Sequence, residues 1–290
     1  YYGGTQADMQ ATFFEEYVML DKDGIKLRQN KISLLETLWP RLPSTSDETK
    51  FQFDAIGLIF FMLSRIEERD STKLDKHDRF MSSASFSIKR GWGQIPIVDE
   101  FARHTANLIA GQKRRENSQF RLKLTHDVDR LRKYHYFLEP LRYMVGDFLS
   151  RKIGNKAFNR LAAYKSDEPW RSISMLMALS DSVGLKSNFY FMGPSNLSMD
   201  SPYCSTMKPL LKKVVSSIVM SGHNIGFHPG YATYNDAKEF ETQKIALDNL
   251  VGCQLTEGRQ HVIRYNCLHT PVIWDRHGMT HDYSLFYPDE

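Results

Sequence analysis

The stretch that decides the fold is residues 207–228, MKPLLKKVVSSIVMSGHNIGFH. Its first part repeats apolar side chains three and four residues apart, which predicts a helix with one buried face. Those apolar positions are Met207, Leu210, Leu211, Val214, Val215 and Ile218. Its second part, HNIGFH, is short and apolar at its centre, which is typical of a strand. A helix followed at once by a strand indicates an α/β fold with parallel strands.

The same alternation of strand and helix continues on both sides of this stretch. The predicted strands are FRLKLTHD at 120–127, KSNFYFM at 186–192 and QHVIRY at 260–265. The predicted helices are 131–149, interrupted at Pro140, 170–184, closed by Gly184, and 237–251. Repeated units of this kind imply a parallel sheet or barrel whose functional site lies at the carboxyl ends of the strands.

The first third of the chain has a different pattern. Residues 51–68, FQFDAIGLIFFMLSRIEE, are apolar on nearly all sides from position 55 to 63, which predicts a buried helix with Asp54 as its N-cap. The charged residues 67–79 predict a solvated loop, and GQIPIVDEF at 93–101 predicts extended chain. We therefore expect a small α+β domain here.

Length and composition set the domain organisation. The 290 residues are 41% hydrophobic, enough for one large or two ordinary domains. The polar stretch 111–120 reads as a linker, so the predicted domains are 1–115, of α+β type, and 116–290, of α/β type.

Charge and cysteine content exclude several classes of protein. The net charge of +4 is spread along the chain, which argues against a nucleic-acid partner, and no apolar run is long enough to span a membrane. The cysteines are Cys204, Cys253 and Cys267, an odd number without metal-site spacing, which favours a reducing, cytoplasmic location.

Candidate chemistry begins in THDVD at 125–129, directly after a predicted strand. One of its two carboxylates, Asp127 and Asp129, could bind a metal ion while the other accepts a proton from water. Alternatively, Asp129 caps the next helix and Asp127 pairs with a surface arginine. The stretches expected to converge with them at the strand ends are FMGPSN at 191–196, FHPGY at 227–231 and RYN at 264–266.

Histidines supply the second group of candidates. His223 and His228 are five residues apart, so on a strand they would point to opposite faces, and either one could simply bond a backbone carbonyl. His126 would point away from its two aspartate neighbours and is expected to have a structural or supporting role. The stretch 257–266, EGRQHVIRYN, adds His261 and the arginines 259 and 264. A buried arginine there could orient a catalytic carboxylate.

Taken in order, these pieces resemble the polysaccharide deacetylase (NodB homology) family, in a bacterial branch with an extra N-terminal domain. The resemblance is carried by FDAIGLIFFMLSRIEE, LTHDVD, GHNIGFHP, GRQHVIRY and HDYSLFYPDE, and it spans most of residues 50–290. It implies a distorted (β/α) barrel, incomplete at its C-terminal end, that hydrolyses acetyl groups from N-acetylated sugars of a surface or secreted glycan.

The resemblance also implies roles for individual residues. Asp127 takes the place of the general base, Asp129 and His228 those of metal ligands for a divalent ion, expected to be zinc. The family's next ligand lies four residues further on, where this chain has Ala232. The third ligand then comes from elsewhere, with His223, His126 and His261 as candidates, and the predicted ligand set is Asp129, His228 and His223.

The remaining motifs of the family complete the expected site. Arg264 in RYN would orient the base, Asp282 in HDYS would lie near the catalytic centre, and a general acid is expected beyond position 290. Two alternatives stay open because Ala232 replaces a ligand: a non-catalytic glycan-binding or assembly protein with a degenerate barrel, or a metal-free amide hydrolase.

Overall fold

The structure is a computed structural model. It describes residues 18–21, 24–27, 55–69, 71–89, 91–110, 120–132, 138–149, 171–195, 197, 199–200 and 208–287. Contacts divide the chain into two compact units, one of residues 1–119 with 287–290 and one of residues 120–286. The predicted boundary at 115/116 lies in 111–119, outside the described residues.

The first unit combines a short hairpin with helices. Strands β1 (Val18–Asp21) and β2 (Gly24–Leu27) pair antiparallel. The helical segments are α1 (Ala55–Leu63), α2 (Ile66–Arg69), a 3₁₀ turn (Ser82–Ala84), α3 (Phe86–Lys89) and α4 (Ile97–Ala110). Its buried core contains Leu58, Phe61, Phe86, Trp92, Ile97 and Phe101. The helix predicted at 55–63 is confirmed, whereas its predicted cap, Asp54, lies outside the described residues.

Two predictions for this unit hold only in part. Part of the charged stretch 67–79 is helix α2, where Glu67 accepts hydrogen bonds from the Phe86 N–H and the Ser85 hydroxyl. Burial raises the pKa of Glu67, so this carboxylate is a packing residue and not a solvated one. The segment 93–101 is not extended throughout, because α4 begins at Ile97, directly after a proline and with two acidic residues in its first turn.

The second unit is built on a parallel sheet of five strands. The strands are β3 (Leu124–Val128), β4 (Ser187–Met192), β5 (Asn224–His228), β6 (Glu257–Gly258) and β7 (His281–Asp282). They lie side by side in chain order, and every neighbouring pair is parallel. The described helices of this unit are α5 (Leu138–Leu149), α6 (Arg171–Ser182), α7 (Lys208–Met220), α8 (Ala237–Val251) and α9 (Thr270–Arg276). The expected α/β class with parallel strands is confirmed.

The two faces of the sheet differ in chemistry. Val128, Phe189, Phe191 and Phe227 lie on one face and pack into a single apolar core with helices α6 to α9. Side chains of the opposite face are polar and joined by hydrogen bonds, as in the pairs Asn188 with Glu257 and Asn224 with Asn188. Successive residues of a strand point to opposite faces, so the residues that alternate with the core residues are the ones that lie on the polar face.

Local predictions in this unit meet mixed outcomes. The strand at 186–192, the helix at 237–251 and the Gly184 terminus, with φ +71°, are confirmed. Pro140 is the third residue of the described helix α5, and residues 133–137, on which the predicted interruption also depends, lie outside the described part of the chain. No helix in the described ranges is long and apolar enough to cross a membrane.

The predicted strand at 260–265 is wrong, and its correction reshapes the site. Strand β6 ends at Gly258, and His261–Ile263 form a 3₁₀ turn in which Val262 and Ile263 have φ of 58° and 51°. Gly258 allows the strand a close approach, since a Cβ there would lie 1.9 Å from the Phe227 carbonyl oxygen. The residues after Gly258 therefore leave the sheet at its carboxyl edge.

Candidate functional site

Three potential metal ligands converge at the carboxyl edge of the sheet. Asp129 follows β3, His228 is the last residue of β5, and His261 lies in the turn after β6. One ligand atom from each residue lies within 4.8 Å of the other two. Carboxyl ends of adjacent parallel strands meet at one edge, which is why residues more than a hundred positions apart come together.

His228 is buried and held in one orientation. Its Nδ1 lies 2.5 Å from the carbonyl oxygen of Arg259, and because a carbonyl only accepts, Nδ1 carries the hydrogen. Its Nε2 lies 3.2 Å from Asp129 Oδ1. A cation or a proton can occupy that contact, since both atoms otherwise present lone pairs to each other.

His261 is held in the same way by a different acceptor. Its Nδ1 lies 2.8 Å from Oδ1 of Asp200, a carboxylate, so Nδ1 again carries the hydrogen and Nε2 is left with its lone pair. The two imidazole rings meet edge to face with centroids 5.2 Å apart. Both histidines thus have the tautomer that a metal ion requires at Nε2.

These residues fit a divalent metal ion. Two imidazole nitrogens and one carboxylate oxygen form a donor set typical of zinc, and three protein ligands leave a position for water or substrate. The Asp129 side chain is 55% exposed, so solvent reaches this position, whereas the His228 side chain is only 3% exposed and is rigidly packed. The cluster is therefore open to solvent on the side of Asp129.

A second carboxylate beside the cluster is oriented by Arg259. The guanidinium donates to Asp127 Oδ1 at 3.0 Å, to Thr125 Oγ1 at 2.7 Å and to the Tyr283 carbonyl at 3.0 Å. The backbone carbonyl of the same arginine is the acceptor for His228. Arg259 therefore ties the proposed base to a potential metal ligand.

Arg264 does not orient Asp127, which corrects the prediction from RYN. Its guanidinium lies between the rings of Tyr231 and Tyr234, 3.9 Å from each centroid, and donates to the Tyr231 carbonyl oxygen. The turn at His261–Ile263 redirects the chain, so alternation along a strand does not apply to Arg264. These contacts of Arg264 stabilise the segment that follows β5.

His223 is not brought to the cluster, which corrects the predicted ligand set. Its Nδ1 accepts the Ser187 N–H at 3.0 Å, and its Nε2 lies 3.3 Å from Asp181, at the amino edge of the sheet. His223 lies five positions before His228, or about 16.5 Å along an extended chain at ~3.3 Å per residue. His126 also lies away from the cluster, with Nε2 3.0 Å from the Ser187 hydroxyl.

The two remaining predicted positions have local roles in the described contacts. Asp282, at the end of β7, accepts the Ser284 N–H at 2.8 Å, and the Ser284 hydroxyl in turn accepts the Gln260 N–H at 2.7 Å. This chain of bonds holds the turn that carries His261. Ala232 has no donor for a metal, and His261 is the third potential ligand of the cluster.

Sequence reasoning named His261 and Arg259 as candidates without choosing either, and it missed Asp200. Arg259 and His261 stood together in EGRQHVIRYN, but the predicted strand placed that stretch wrongly. For Asp200 the sequence holds only the weak signal of an acidic residue soon after β4.

Comparisons with known proteins bear on the first unit alone. Residues 1–113 match a family described as Family of unknown function (DUF7033). No curated protein and no solved structure matches the chain. The matched residues lie outside the unit that carries the site, so the resemblance to polysaccharide deacetylases stays a prediction.

Proposed function

We propose that residues 120–286 form a metal-dependent carbohydrate deacetylase of the polysaccharide deacetylase type, acting on N-acetylated sugars of a surface or secreted glycan. One observation carries the proposal: two histidines, each of which donates from Nδ1 to a fixed acceptor, form a cluster of potential ligands with Asp129, beside a carboxylate held by an arginine. Strands in chain order are also the arrangement expected of a (β/α) barrel.

The proposed metal ligands are Asp129, His228 and His261, with zinc as the expected ion. When bound, the ion would polarise the acetyl carbonyl and acidify a water molecule. Asp127 would accept the proton of that water, since it projects from the end of β3 two residues before Asp129. Arg259 would keep the accepting oxygen in place through its bond at 3.0 Å.

The experiment combines metal content with turnover in the 290-residue chain. Zinc per chain would be measured by elemental analysis after loading and gel filtration, and deacetylation by acetate release from N-acetylglucosamine oligomers. We expect one ion in the wild type, loss in Asp129→Ala, His228→Ala and His261→Ala, and retention in His223→Ala, the matched histidine control. Asp127→Asn should keep the ion and lower kcat by about 10²-fold or more.

Specific outcomes would contradict the proposal. Deacetylation at wild-type rate by Asp127→Asn would remove Asp127 from the role of base. A wild type that binds no zinc would favour the metal-free hydrolase or the non-catalytic glycan-binding protein. Ion loss in His223→Ala with retention in His261→Ala would reverse the ligand assignment.

A further inference from the structure

A carboxylate that binds no proposed substrate stands directly behind His261. Asp200 follows β4, is 5% exposed, and accepts three hydrogen bonds. Its Oδ1 accepts from His261 Nδ1 and from the Tyr231 N–H, both at 2.8 Å, and its Oδ2 accepts from the Ser195 hydroxyl at 2.6 Å. Asp200 is therefore fixed from both sides.

The contacts of Asp200 fix the position of the hydrogen that it shares with His261. Its Oδ1 also accepts the Tyr231 N–H and its Oδ2 accepts the Ser195 hydroxyl, so Asp200 acts as an acceptor in its other contacts. The hydrogen between Asp200 and His261 therefore lies on His261 Nδ1. The lone pair at Nε2 is then available on the side of Asp129 and His228.

The backbone leaves room for this contact at one glycine. A Cβ at Gly230 would lie 2.6 Å from Asp200 Oδ2 and 2.8 Å from Nε2 of Gln243, so a larger residue there would push the carboxylate aside.

The two histidines also differ, because His228 donates to a neutral carbonyl and His261 to a carboxylate. A carboxylate acceptor makes the imidazole a stronger metal donor.

We propose that Asp200 is a positioning residue of the metal site, which sets the tautomer and orientation of His261 and strengthens Nε2 as a ligand. This inference rests on the proposed function, since it needs an ion at Asp129, His228 and His261. Asp200 acts only through His261. It gives the segment after β4 a part in the site, although that segment supplies no ligand.

The test measures zinc affinity and the state of His261 in the full chain. Zinc dissociation constants would be obtained by competition with a chromophoric chelator for Asp200→Ala, Asp200→Asn, His261→Ala and the double variant. We expect a loss of about 10–100-fold for Asp200→Ala, and a smaller loss for Asp200→Asn, whose amide oxygen still accepts. In the His261→Ala background, Asp200→Ala should weaken zinc binding by less than about a further twofold, because the partner of Asp200 is gone.

A matched control is Asp248→Ala. Asp248 also accepts a backbone N–H, from Leu255, and forms an ion pair with Lys244, but it lies on α8, away from the cluster. Its zinc affinity should equal that of the wild type. If Asp200→Ala weakened zinc binding by the same factor in the wild-type and His261→Ala backgrounds, Asp200 would have a general packing role and the proposal would be overturned.

The tautomer of His261 is read separately in metal-free protein by long-range ¹H–¹⁵N NMR. We expect the Nδ1–H form in the wild type and its loss in Asp200→Ala. An unchanged tautomer overturns the proposal. Absence of zinc binding in the wild type would contradict the proposed function. Even then, loss of the Nδ1–H form in metal-free Asp200→Ala would support the control of His261 by Asp200.

Discussion

At the residue scale, Arg259 has two separable roles. Its backbone carbonyl fixes His228, and its guanidinium fixes Asp127 and Thr125. A side-chain substitution removes only the second role, because the carbonyl remains. Arg264, which is 6% exposed, serves packing through its two tyrosine neighbours. Substitution of Arg259 and substitution of Arg264 should therefore have different effects.

We predict that Arg259→Ala lowers kcat by about 10-fold or more while zinc affinity changes less than about threefold. Arg264→Ala should instead lower the free energy of unfolding by about 1–3 kcal/mol, since it removes two stacked contacts from a buried group. Acetate release, zinc competition and urea unfolding distinguish them. A larger loss of kcat in folded Arg264→Ala than in Arg259→Ala would restore Arg264 as the orienting residue.

At the scale of elements, a strand of only two residues decides the site. β6 has two residues, and the segment that leaves it supplies Arg259 and His261. Gly258 permits its contact with β5. The Gln260 N–H is held by Ser284 from beyond β7, so the path of the turn depends on both neighbouring strands.

Gly258→Ala should therefore destabilise the protein by at least about 2 kcal/mol, because a Cβ 1.9 Å from the Phe227 oxygen forces the strands apart. Zinc affinity should fall with it. The matched control is Gly146→Ala in α5, where a Cβ meets nothing within 4 Å and helix propensity gains about 0.5–1 kcal/mol. Thermal unfolding and zinc competition give both quantities, and unchanged affinity in Gly258→Ala would show that β6 does not position the ligands.

At the scale of the whole molecule, the two units have separate cores. Leu58 belongs to the core of the first unit and Leu247 to that of the second, each 1% exposed. All three proposed metal ligands belong to residues 120–286. A ligand that binds one folded unit stabilises that unit by mass action.

We expect zinc to raise the Tm of one of two calorimetric transitions. At about 100 times Kd the gain is ~2.7 kcal/mol for the unit with the site. Leu247→Ala should lower the same transition and Leu58→Ala the other, which assigns them. His261→Ala should abolish the zinc shift. A zinc shift confined to the transition that Leu58→Ala lowers would contradict the placement of the site.

The sequence by itself determined the long, periodic elements and the first members of the site. The stripe of α7, helix α8 and strand β4 follow from local spacing, and Asp127, Asp129 and His228 could be selected from the family resemblance and their places at or just after predicted strands. Only the tertiary structure brought His261 and not His223 to the cluster, Arg259 and not Arg264 to Asp127, and Asp200 to His261. A strand of two residues has no periodic pattern, and the turn after it is set by a close approach to Phe227 and a bond from Ser284, which local sequence does not encode.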